Sequence, residues 1–221
     1  MTRVLVIGAS GGIGAALAAD LEGRGVEVAR LSRREDGLDL RDAASVVRAM
    51  GTLDGTFDGV FVATGILAPE GGAPEKAMAA VTPEAMAEVM AVNAIGPALI
   101  LGQLERLLPS RSVASVGVLS ARVGSIGDNG IGGWHSYRAS KAALNQIVRG
   151  AAIELARKRP KACVVALHPG TVATPFTADY AARHGTVPPE DAARQLVDLM
   201  ARLGPEETGR FYAYDGQEIP W

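Results

Sequence analysis

The chain reads as a single doubly wound α/β domain over residues 1–221, a parallel sheet with helices on both faces. Three observations predict this. Short β-branched runs alternate with longer alanine-rich stretches of helical period, the pattern of repeated strand-helix units. A glycine cluster follows the first apolar run at once and opens the first helical stretch. Finally, 221 residues of which 48% are hydrophobic suit one continuous core.

Taken from the N-terminus, Val4-Leu5-Val6-Ile7 predicts the first strand, stopped by Gly8, and residues 12–23 predict the first helix. Further strands are expected at 26–31, 59–63, 113–119, 162–167 and 210–213, with a short additional strand signalled at 37–40. Helices are expected at 43–50, 83–108, 137–157 and 189–203. Residues 65–82, with Pro69, Gly71, Gly72 and Pro74, form the longest loop. Right-handed crossovers bring the carboxyl ends of the strands to one edge, where open α/β sheets bind ligands.

Composition excludes several function classes. With 21% charged residues and a formal net charge of −2 there is no basic excess to grip a phosphate backbone, so nucleic acid is not an expected partner. The single cysteine, Cys163, lies in the apolar run Ala162–Leu167, which rules out an internal disulfide and favours a reducing compartment. The apolar run at 4–7 stops at Gly8, short of a signal-peptide core. No other stretch reads as the roughly 20 uninterrupted apolar residues that span a bilayer. A soluble cytoplasmic protein without a membrane partner is expected.

Gly8-Ala9-Ser10-Gly11-Gly12-Ile13-Gly14, set between strand and helix, has the context of a Rossmann phosphate-binding turn. Glycines permit a tight turn and close backbone approach, while the helix start offers unpaired N–H groups to a pyrophosphate. An acidic residue about 20 positions on would favour NAD(H). Here the second strand ends Arg30-Leu31-Ser32-Arg33-Arg34, with Glu35 the first carboxylate. Ser32, Arg33 and Arg34 therefore offer a hydroxyl and two guanidiniums to a 2′-phosphate, which predicts NADP(H).

Tyr137-Arg138-Ala139-Ser140-Lys141 opens a long amphipathic stretch, and a spacing of four puts Tyr137 and Lys141 on one helix face, about 6 Å apart along the axis. A phenol with a pKa of about 10 exchanges protons poorly at neutral pH, and a neighbouring ammonium is expected to lower it.

Taken together and in order, the glycine turn, Val92-Asn93-Ala94, Tyr137 with Lys141, and Pro169-Gly170-Thr171-Val172-Ala173-Thr174 resemble the short-chain dehydrogenase/reductase family. The resemblance runs from Val4 to Phe211-Tyr212-Ala213. Gly124-Ser125-Ile126, Gly132-Gly133 and the run from Tyr137 to Asn145 are similar to its C-factor-like carbonyl reductase subgroup. The resemblance implies that Tyr137 is the general acid/base, that Lys141 lowers its pKa and bonds the nicotinamide ribose, and that Asn93 holds a relay water. It further implies that Gly65, Pro169, Gly170, Val172 and Thr174 border the cofactor, and that Asp39, beside Leu40, meets the adenine amino group. A homodimer or homotetramer through the helices at 83–108 and 137–157 is implied as well.

Two departures from the family pattern stand out. Val62-Ala63-Thr64-Gly65 replaces the usual Asn-Asn-Ala-Gly, leaving only Gly65. Counting three back from Gly124 to the catalytic serine lands on Ala121, so Ser120 is expected to bond the substrate oxygen, with Ser125 as the alternative. The expected function is an NADP(H)-dependent oxidoreductase that moves a hydride to or from a small-molecule carbonyl or alcohol, using Asn93, Ser120, Tyr137 and Lys141. The alternative is a nucleotide-binding regulatory or signalling protein of the same fold with little turnover. Residues 66–72, 125–135 and 175–188, including Phe176 and Tyr180, are expected to shape the substrate pocket. His135, His168 and His184 lack ligand-spaced partners, so no metal is expected.

Overall fold

The computed structural model describes residues 1–177 and 185–221; Tyr180 and His184 fall outside the described residues. In chain order it contains β1 (Arg3–Ile7), α1 (Gly12–Gly23), β2 (Glu27–Leu31), α2 (Arg33–Asp36), α3 (Ala43–Gly51) and β3 (Gly59–Val62). Then come α4 (Pro83–Met90), α5 (Gly96–Leu101), β4 (Ala114–Leu119), α6 (His135–Lys158), β5 (Ala162–His168), α7 (Pro189–Arg202) and β6 (Phe211–Ala213).

The six strands form one parallel sheet in the order β2-β1-β3-β4-β5-β6. The order reverses across β1 and β3, where Val4 pairs with Val28 on one side and Gly59 on the other. Such a switch point opens a crevice beyond the strand ends. Side chains alternate across the pleat. Leu5, Ile7, Val60, Val62, Val116 and Val164 pack with α3, α5 and α6, whereas Val4, Val6, Phe61, Cys163 and Val165 pack with α1 and α7. Both faces are thus covered, as the near-continuous apolar strands require.

Three expected elements differ from those observed. The helix expected over 83–108 runs only from Pro83 to Leu101, with a π-helical turn at Ala91–Ile95 joining α4 to α5, and a separate 3₁₀ turn follows at Leu104–Leu107. Pro97 has no N–H to give the carbonyl of Asn93 and its ring crowds that carbonyl, so the preceding turn widens. Residues 83–101 are also long and apolar enough, by composition, to cross a membrane, contrary to the expectation that no such stretch exists. In the fold, Val89, Asn93, Ala94 and Ile100 of this segment are buried, while Ile95 is exposed. The strand expected at 37–40 is absent: Ser32 caps the one-turn helix α2, and Gly37, at φ 67°, closes it in left-handed geometry. Lastly, α6 starts at His135, two residues ahead of Tyr137.

Candidate active site

The glycine turn is built as its residues require. Gly8 has φ 89°, and a Cβ there would lie 2.6 Å from the Ala63 carbonyl oxygen. One on Gly14 would lie 2.2 Å from the Gly8 oxygen, and one on Gly12 2.6 Å from Thr174 Cγ2. The strand-helix junction therefore closes only around hydrogen atoms. Ser10, Gly11 and Gly12 are exposed at its mouth, Ile13 is half-buried, and Gly11 gives α1 no side-chain cap. The first amides of α1 are left for an anion. Thr64 Oγ1, on the side chain that abuts Gly8, is buried and finds no hydrogen-bond partner among the described residues. This glycine cradle and orphaned hydroxyl fit a dinucleotide. Of Pro169, Gly170, Val172 and Thr174, Thr174 lies against Gly12 of the turn, while Val172 is bridged to Val187 and Gly170 faces Tyr214.

At the end of β2 the sequence reading found no carboxylate, but one helical turn brings Asp36 back. Its Oδ2 accepts from Ser32 N at 2.7 Å and from Ser32 Oγ at 3.3 Å. Arg33 and Arg34 are exposed and, among the described residues, neither is engaged in an ion pair. Asp39 is held by Arg41 through bonds of 3.0 and 2.9 Å, and the Arg41 guanidinium keeps its carboxyl at about 2. Leu40 is buried against Gly96.

A chain of hydrogen bonds links the loop after β3 to α6. Asn93 is fully buried in the π turn; its Oδ1 accepts from Ile66 N at 2.8 Å, and its Nδ2 donates to Ile66 O at 2.8 Å and Ser140 Oγ at 3.0 Å. Ser140 Oγ donates in turn to the Tyr137 carbonyl at 2.8 Å. Lys141 Nζ donates to Leu119 O at 2.9 Å and lies 5.9 Å from the Tyr137 ring centre. A Cβ on Gly65 would come 3.2 Å from Asn93 Oδ1 and 3.4 Å from Lys141 Nζ, so Gly65 marks where these side chains converge. The structure thus gathers Gly65, Asn93, Tyr137 and Lys141.

Charge in this cluster departs from the sequence expectation. Burial raises the Tyr137 phenol above its usual value and lowers Lys141 to about 7. Tyr137 is covered by Trp134 and Phe176, whose ring centres lie 6.2 and 5.9 Å away, and Lys141 is 3% exposed. Desolvation of both charged forms therefore outweighs their mutual attraction. A raised value keeps the phenol protonated at neutral pH, which suits a proton donor. Between about 7 and 10.5 the unfolded chain holds a Lys141 proton that the folded chain releases. Stability is therefore expected to rise with pH across that window, and to rise less in Lys141→Met. Denaturant titrations at about pH 7 and about pH 10 check this; an equal rise in the variant would contradict it.

The serines are placed differently. Ser120 Oγ donates to Asn145 Oδ1 at 2.6 Å, on the turn of α6 beyond Lys141, while Ser125 Oγ accepts from Asp128 N at 3.1 Å. Both are buried. Asn145 Nδ2 is buried and finds no hydrogen-bond partner among the described residues. Asn145 was missed by the sequence reading although Tyr137, Lys141 and Asn145 recur at the four-residue spacing of one face. Glu75 was missed as well, since nothing local in the sequence distinguishes it, whereas Trp134 falls within residues 125–135, which were expected to shape the pocket.

The sequence pattern of the short chain dehydrogenase family matches residues 2–185. A 1-hydroxy-2-glutathionyl-2-methyl-3-butene dehydrogenase from a Rhodococcus species is 32% identical over the whole of both chains. The C-signal protein of Myxococcus xanthus is 37% identical over 62% of this chain and 78% of its own. Among solved structures, a carbonyl reductase from Pseudomonas aeruginosa in complex with NADP superposes with a TM-score of 0.80 at 27% identity, covering all of both chains. With the family pattern matched over most of its length and a relative aligned from end to end, the chain belongs to the short chain dehydrogenase family.

Proposed function

We propose that the chain is an NADP(H)-dependent oxidoreductase that reduces the carbonyl group of a small molecule and, in reverse, oxidises the alcohol. The observation that carries this is the convergence of Tyr137, Lys141 and Asn93 beside Gly65, on the sheet edge that also carries the glycine turn. The likeness to a carbonyl reductase solved with NADP supports it. Gly8, Gly12 and Gly14 would admit the pyrophosphate, Ser32, Arg33 and Arg34 the 2′-phosphate, and Lys141 the nicotinamide ribose. The bound nicotinamide supplies or accepts the hydride. Tyr137 donates its proton to the oxygen as negative charge develops there, and Lys141 is positioned to favour the phenolate left behind.

Ser120 is the proposed donor to the substrate oxygen. Turning the Asn145 amide over would let its orphaned Nδ2 donate to Ser120 Oγ and release the hydroxyl proton. Ser120→Ala is accordingly expected to lower kcat more than Ser125→Ala. Steady-state kinetics of the two variants decide it, and the reverse order would move the role to Ser125.

A second reading, a nucleotide-binding signalling protein with little turnover, is favoured by the likeness to C-signal and by the engagement of the Ser120 proton with Asn145. Aldehydes, ketones and quinones screened with NADPH separate the two. Absence of turnover with retained NADPH binding would select the second.

A further inference from the structure

We propose that Glu75 is a positioning residue for the reaction: its carboxylate supplies the N-cap that α6 lacks and so sets the turn that carries Trp134 and Tyr137. This rests on the reading of Tyr137 as the proton donor.

Trp134 occupies the N-cap position of α6 but has no oxygen with which to cap it. The duty passes to Glu75, 61 positions before Ser136. Glu75 Oε2 accepts from Ser136 N at 3.1 Å, Glu75 Oε1 accepts a short bond from Ser136 Oγ, and the Glu75 carbonyl accepts from Trp134 N at 2.5 Å. Glu75 is 9% exposed, and its negative charge lies at the positive end of a 24-residue helix.

The turn held in this way is one the chain would otherwise resist. Gly132, Gly133 and Trp134 are consecutive left-handed residues, at φ 70°, 67° and 52°, and Trp134 is the sole non-glycine residue with positive φ among those described. Such geometry persists where neighbours over-determine it. Arg138 provides a second tie, from Nε to the Gly133 oxygen at 2.9 Å. Beyond the turn, the Trp134 ring stands edge-on to Tyr137. The loop that carries Glu75 is also fastened at its other end, where both backbone groups of Ile66 are bonded by Asn93. Residues 66–75 therefore bracket the site, fixing Asn93 at one end and the start of the Tyr137 helix at the other.

Glu75→Ala, Glu75→Gln and Ser136→Ala test this in a Trp221→Phe background, which leaves Trp134 as the single tryptophan. Displacement of a reacting group by about 1 Å costs on the order of 100-fold. Glu75→Ala is therefore expected to lower kcat by about 10- to 100-fold, to leave NADPH affinity within about twofold and to weaken the near-ultraviolet circular dichroism of Trp134. Glu75→Gln, which keeps one acceptor oxygen, should restore most of both losses, and Ser136→Ala should fall between. Unchanged kcat with an unchanged Trp134 signal in Glu75→Ala would overturn the proposal. So would a parallel fall of kcat, NADPH affinity and melting temperature that Glu75→Gln does not rescue, since that describes general structural damage. If Glu75→Ala fails to fold, Ser136→Ala and Glu75→Gln are held to the same criteria. Should the wild type show no turnover, the reading of Tyr137 fails instead, and the Trp134 signal still decides whether Glu75 holds the turn.

Discussion

Tyr137→Phe is expected to lower kcat by at least about 100-fold while leaving NADPH affinity nearly unchanged, because general acid-base catalysis typically supplies 10²- to 10⁴-fold. The substitution removes one oxygen and its proton. The ring that packs between Trp134 and Phe176 is kept, so the wall of the site should survive. Burial holds the phenol in its protonated form, so loss of the hydroxyl should remove the proton donor in carbonyl reduction. Single-turnover measurements with a reducible aldehyde, alongside a fluorescence titration of NADPH, check both halves. Near-normal turnover would sink the assignment of Tyr137. A collapse of NADPH binding would show instead that the hydroxyl supports the cofactor.

Arg33→Asp should shift preference from NADPH towards NADH by tenfold or more. A charge-assisted hydrogen bond is worth roughly 1.5–3 kcal/mol, and about 1.4 kcal/mol is a factor of ten in affinity. Arg33 is exposed, its charge reaches Asp39, and neither it nor Arg34 is spent on an ion pair among the described residues. The substitution removes attraction for a 2′-phosphate and adds repulsion beside Asp36, which already faces Ser32. Arg34→Ala should do less. The two arginines lie in the one-turn helix α2 and not at a strand end, so their side chains diverge by about 100° around the helix axis. Titration of both cofactors against the wild type and the two variants checks this. Equal or tighter NADH binding by the wild type would refute the reading of Ser32-Arg33-Arg34.

Much of the fold was legible because it follows from near neighbours in the chain. Val4-Leu5-Val6-Ile7 followed by Gly8 specifies a strand and its stop, and α1 occupies the residues that its pattern predicts. The helix expected at 83–108 ends at Leu101, and the π turn ahead of Pro97 does not show in the apolar periodicity, because it is the proline's missing N–H and not a change of side-chain pattern that opens the backbone there. Likewise, the alternation Leu38-Asp39-Leu40 resembles a strand, but Ser32 and Gly37 delimit a single helical turn and leave Leu38 and Leu40 as core plugs.

The site divides along the same line. By itself the sequence determined the glycine turn, the basic end of β2 and the Tyr137–Lys141 pair, since the geometry of a tight turn or of residues four apart on a helix is set within a few bonds. Only the tertiary structure decided that Asn93 reaches Ile66 and Ser140, that Ser120 gives its proton to Asn145, and that Glu75 caps a helix 61 residues further on. It also decided the charge balance. Proximity along α6 predicts a lowered phenol pKa, but desolvation depends on what covers a group. Trp134 and Phe176 cover Tyr137, Lys141 is buried beside Leu119 and Gly124, and the cost of burying either charge then exceeds the attraction between them.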